Sequence, residues 1–201
     1  MKKFLGAILP LMLIASCGGS HRTLLIVSPG KLTVASGAIT IGDTTNGTAN
    51  QEIAVTQSTY TVNNNGVKTT LTIPADAGYY IYNAGDTIYG SQLIEGRDYN
   101  HVLSLSEQKA MIDSVKKVLA GVNISAANKN YLITAGQIVK LNGDAAHTQV
   151  FPPYIPPTDI KPAADGKPVT LFKFYAKDEL QRRLQTIVDS YNANNAGGAG
   201  H

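Results

Sequence analysis

The chain has a single cysteine, Cys17, and no tryptophan among its 201 residues. One thiol excludes a disulfide within the chain, and a thiolate metal site needs several. Because that cysteine sits so near the amino terminus, the body of the sequence has no cysteine nucleophile either. Charge is scarce: only 15% of residues are Asp, Glu, Lys or Arg. Lys116-Lys117 and Arg182-Arg183 are the densest basic spots and fit solvated helix faces, so composition argues against a nucleic-acid partner. Long apolar runs are missing after residue 14, and no later stretch approaches the length needed to span a bilayer.

Catalytic patterns are missing as well. There is no Gly-x-Ser-x-Gly elbow, no phosphate-loop pattern and no His-Glu-x-x-His, so no catalytic residue and no cofactor is assigned. Of the four histidines, His21 and His201 lie near the ends, which leaves His101 and His147 for the folded part. Asp98 and His101, near Glu95, come nearest to an acid–base or metal pair. Metal sites need three or more convergent ligands, so a polar surface loop is the plainer reading and no metal is expected. Asp43, Asn46, Asn50 and Glu52 offer oxygen donors, but their spacing does not match the twelve-residue calcium loop, and turn chemistry accounts for them.

What is present begins at the amino terminus. Lys2 and Lys3 give a positive start, Phe4 to Ile14 an apolar run broken only by Gly6 and Pro10, and Ile14-Ala15-Ser16 a small-residue close before Cys17. A charged start, an apolar middle and a small-residue end have the anatomy of a secretory signal. Ile14-Ala15-Ser16-Cys17 also resembles the lipobox of bacterial lipoproteins, and this likeness covers residues 1–17 only. It implies cleavage before Cys17, diacylglycerol on its thiol and acylation of the new amino terminus. It further implies a protein held at the cell envelope by lipid. Gly18 stands where, in many enteric-type lipoproteins, an aspartate retains the protein at the inner membrane, and the resemblance therefore points to the outer membrane. With Lys2 and Lys3 removed, the formal charge of +3 drops by those two lysines to +1.

Along the rest of the chain the hydrophobic period is that of strands up to about residue 103. Leu24-Leu25-Ile26-Val27 is a compact apolar run stopped by Ser28-Pro29-Gly30. Leu32 and Val34, Ile39 and Ile41, and Tyr60 and Val62 alternate with polar residues. Asn65-Gly66, between two such runs, predicts a tight hairpin. Ser104 and Glu107 have capping-box spacing at the head of an apolar stripe through Met111, Ile112, Val115, Val118 and Leu119, which Gly121 ends. Tyr131 to Leu141 reads as one strand and Val169 to Tyr175 as a last one. Asp178 is the expected cap of a second helix whose stripe is Leu180, Leu184, Ile187, Val188 and Tyr191. Six of the nine prolines fall within 151–168, a density that favours an extended polyproline conformation.

The expected architecture is α+β: an antiparallel β-rich body (sandwich or partial barrel) with two amphipathic helices and a proline-rich arm. The divisions are a signal (1–16), a lipidated tether (17–21), a β-rich domain with one helix (22–150), the arm (151–168), a terminal strand and helix (169–192) and a disordered tail (193–201).

Two surfaces compete for function. On the arm, Phe151, Tyr154 and Ile155 offer apolar anchors for an envelope protein partner, since a preformed extended chain loses little entropy on docking. A connector packed along its own domain is the plainer reading of the same stretch. Alternatively Tyr80, Tyr82 and Tyr89 form a platform for a glycan or small solute, against which stands ordinary packing of aromatics in a sheet. The expectation is a non-catalytic structural or assembly subunit of a larger envelope complex such as a secretion machine, attached to a membrane through Cys17.

Overall fold

The computed structural model describes residues 21–43, 49–93, 103–122, 124 and 130–197. In chain order the strands are β1 (Arg22–Ser28), β2 (Leu32–Ala35), β3 (Ala38–Ile41), β4 (Ala49–Ala54), β5 (Thr59–Asn64), β6 (Val67–Thr72), β7 (Gly78–Asn83) and β8 (Ile88–Gln92). Helix α1 (Leu105–Leu119) follows, then β9 (Asn130–Ile133), β10 (Ile138–Lys140), β11 (Thr148–Phe151), β12 (Thr170–Ala176) and α2 (Lys177–Gly197). The signal, Cys17 and the Asp98/His101 pair lie outside the described residues.

Among the described residues the strands form three four-stranded sheets, ordered β10-β7-β1-β4, β11-β12-β8-β9 and β2-β3-β5-β6, and none closes into a barrel. The body is mixed rather than purely antiparallel. Each sheet holds one parallel pair: β1 with β7, β11 with β12, and β3 with β5. Alternation along a strand reports only which residues share a face, and a parallel partner is set by distant chain.

The first of these sheets is central, because its two faces feed different cores. Leu24, Ile26, Tyr80 and Tyr82 pack with Ile39, Ile41, Tyr60, Val62, Leu71 and Ile73 of the β2–β6 sheet. Leu25, Val27, Tyr79 and Ile81 point the other way, onto Ile88, Tyr131, Ile133, Phe172 and Phe174 of the β8–β12 sheet. A strand buried on both faces has no use for polar alternation, which is why residues 24–27 are uniformly apolar. The terminal strand of the notional 169–192 segment is thereby part of the same body, in the ladder beside β8.

Local signals come through where the chemistry is local. Asn65 and Gly66 take φ of 48° and 87° in the β5–β6 turn, the positive pair that a two-residue hairpin needs. Ser104 Oγ accepts from the Glu107 N–H while the Glu107 carboxylate accepts from the Ser104 N–H. Gly90 is required by packing: a Cβ there would stand 2.2 Å from the buried Phe174 ring. Other expectations shift. The single strand expected over 131–141 is two, in different sheets, divided by a turn at Gly136 (φ 77°). Asp178 sits inside the first turn of α2, and that helix continues through Gly197 into the stretch expected to be disordered. Helices α1 and α2 pack on each other, and α2 also meets β12 and β8.

Candidate interaction surface on the proline-rich crossover

β11 and β12 are parallel neighbours, so the chain must return from the end of one to the start of the other. Residues 152–169 make that return without a helix. The proline-rich segment is therefore a crossover fastened across the body at several points. Short backbone bonds fold it into turns, from the Ile155 N–H to the Pro152 carbonyl, from Thr158 to Pro156 and from Gly166 to Ala163. A continuous polyproline helix has no such bonds, so the extended form is broken up here.

Side chains of the body supply the fastenings. Lys173, only 2% exposed on β12, donates to the Pro152 carbonyl at 2.9 Å and pairs with Glu179 at 3.1 Å. Burial pulls the Lys173 ammonium below the usual lysine range, and Glu179 opposes that fall. Glu179 Oε2 also accepts from the Tyr154 N–H, and the Tyr154 hydroxyl donates to Asp178, which in turn holds Arg182. Further along, Gln149 binds the segment twice, to the Asp159 carbonyl and the Lys161 N–H.

At the far end the His147 ring lies between two carboxylates, Nδ1 3.1 Å from Asp144 and Nε2 3.0 Å from Asp165. The Asp165 and Asp144 contacts raise the imidazole above its ordinary pKa. Lys167, with help from His147, holds Asp165 down at about 2. This is the one histidine that the structure assigns a defined set of partners among the described residues.

Of the three anchors expected on this segment, the structure brings only Tyr154 and Ile155 to the surface. Phe151 is the last residue of β11, buried at 4%, and its ring is used by the body itself. Ile160 takes its place. It is 51% exposed, against 45% for Tyr154 and 48% for Ile155. Tyr154 has φ of 63°, a left-handed conformation costly for a non-glycine residue, and the Glu179 and Asp178 bonds hold it there. Its ring borders a cleft of about 540 Å³ at the carboxyl ends of β1 and β7, with Ser28, Asn83, Asp86 and Gln181 around it. An exposed ring beside a cleft, on a backbone that Glu179 and Asp178 hold in place, suits a docking surface. Alternation alone could not find Ile160, since the segment has no period.

The tyrosine platform is corrected. Tyr80 and Tyr82 do share a face, but that face is the core, where they are 1% and 6% exposed. Burial and Asp76 push the Tyr80 hydroxyl up to about 12, as it donates to the Asp76 carbonyl and carboxylate. Neither ring is open to a ligand. Tyr89 is apart from them, 6% exposed on the opposite side of the molecule, where it faces the helices and borders a second cavity. Glu52, once a candidate oxygen ligand, accepts from the Tyr79 hydroxyl, and no group of three or more metal-ligating side chains occurs among the described residues. Among the same residues no helix is long and apolar enough to cross a membrane.

No protein-family model, no curated protein and no solved structure matches the chain.

Proposed function

We propose that this chain is a lipid-anchored protein of the bacterial cell envelope, at the outer membrane, acting as a non-catalytic structural or assembly subunit of a larger envelope complex such as a secretion machine. The observation that carries the anchor is the order of residues 2–17: two lysines, an apolar run, small residues, then the only cysteine. Two or more acyl chains attach a protein stably where one does not. The assembly role draws on the pinned crossover. Tyr154, Ile155 and Ile160 are exposed on one segment whose backbone is fastened at Tyr154, Ile155, Asp159 and Lys161, so docking loses less entropy than it would from a free chain.

Two measurements test the reading separately. Mass spectrometry of the mature protein is expected to find an acylated Cys17, and Cys17→Ser to move the product out of the membrane fraction. An unmodified thiol would end the anchor proposal. Co-purification from detergent-solubilised membranes is expected to recover stoichiometric protein partners, and a combined Tyr154→Ser, Ile155→Ser and Ile160→Ser variant to lose them. Unchanged recovery would remove the crossover as the docking element. A deletion of the segment would not serve, because it would also unfasten β11 from β12.

A further inference from the structure

Helices α1 and α2 do not close completely onto the sheet beneath them. Tyr89 and Tyr175 stand directly opposite one another across β8 and β12, on the face away from the Phe172/Phe174 core. Above that pair Met111, Val115 and Val118 of α1 and Leu180 of α2 leave a cavity of about 240 Å³, bordered also by Pro157. The walls are apolar along α1 and the tyrosine rings, with Ser91, Gln92, Ser114 and Asn130 as polar groups on the rim, and the charge at one end is uneven. Arg183 lies over the Tyr175 ring with its guanidinium carbon 5.6 Å from the centroid, and Lys173 approaches the same ring at 4.6 Å. Lys173 has Glu179 as its counter-ion, and the adjacent Arg182 has Asp178. Arg183 has no acidic partner within ion-pair distance among the described residues. Two cations around one carboxylate leave a positive surplus at the mouth of an apolar slot.

We infer that this cavity binds a small monocarboxylate with an apolar body, its carboxylate on Arg183 and its body between the α1 side chains and the two tyrosine rings. A planar guanidinium matches a carboxylate in bidentate fashion, and an apolar slot rejects a second charge. A cavity of about 240 Å³, below the range for drug-sized ligands, suits a body the size of hexanoate or benzoate. The site needs neither the lipid nor a protein partner, so it stands apart from the assembly role.

Benzoate and its neutral analogue benzyl alcohol serve as probes, titrated into the full chain by calorimetry. The expected result is saturable one-to-one benzoate binding, about tenfold tighter than the alcohol, as a charge-assisted contact would give. Arg183→Met is expected to erase that preference while keeping weak binding of both, and Val115→Phe to weaken both by filling the slot. Should Val115→Phe not fold, methyl shifts of Met111, Val115 and Val118 in the unaltered protein locate the ligand instead. Absence of saturation at millimolar benzoate, a preference that survives Arg183→Met, or shifts confined elsewhere would each overturn the inference.

Discussion

The molecule joins two of its parallel strand pairs in opposite ways. Between β1 and β7 runs the whole β2–β6 sheet with β4, and that return buries a core of its own against Leu24, Ile26, Tyr80 and Tyr82. Between β11 and β12 runs the proline-rich crossover, which buries little and is held by Lys173, Glu179, Gln149 and His147. The first return is stabilised by area removed from water, and the second by a few polar contacts that each have a geometry and some a pKa. The same topological demand therefore gives one region tied into a core and one whose attachment depends on a few polar contacts.

The strongest way to break this contrast lies in the core. Phe172→Ala removes a ring with no exposed surface and is expected to cost about 3–5 kcal/mol in global unfolding, read by denaturant titration. If hydrogen exchange instead showed the loss confined to residues 152–169, the two regions would not be distinct.

Next comes the charged pin. Glu179→Ala strands Lys173 in the interior and frees the Tyr154 N–H. The expected loss is roughly 2–3 kcal/mol, below the range for a fully buried pair because Glu179 keeps some contact with water. Amide exchange in the crossover is expected to rise before that of β1. Uniform acceleration across the molecule would blur the contrast.

Gly90→Ala sharpens it from the core side. The added methyl meets the Phe174 ring, and about 1–3 kcal/mol of overpacking is expected in thermal unfolding, with the crossover's exchange unchanged.

The smallest effect is the one only the crossover can show. His147 has its pKa raised in the folded state, so its contribution is full below the ordinary histidine value and is lost as pH climbs through the raised one. Melting temperature and protease resistance of 152–169 are expected to fall as pH rises above the ordinary histidine value of about 6.5 in the native chain, and to lose that slope in His147→Ala. A slope that persists without His147 would assign the pH dependence elsewhere.

How much of this could be read from residues alone follows from distance along the chain. The Asn65-Gly66 turn, the Ser104/Glu107 box and the apolar run at 24–27 each depend on neighbours within a few positions, and each is found where expected. The parallel pairings are not legible, because hydrophobic period carries no direction. Strand alternation places Tyr80 with Tyr82 correctly yet cannot tell that both faces of β7 are covered. Proline density marks 151–168 as unusual, but its role as a return between parallel strands appears only once β12 is known to lie beside β11. The Arg183 cavity joins β8, α1 and the continuous β12–α2 segment, which are far apart in sequence, so nothing short of the assembled fold could indicate it.

The order of strands in the two sheets that hold β1 and β12 has a mechanical result. β1 enters between β7 and β4, and β12, which runs without a loop into α2, lies between β11 and β8. Tension applied between residue 21 and the far end of α2 loads an inner strand at both grips. The first strand loaded at either grip is therefore one with a hydrogen-bonded neighbour on both sides.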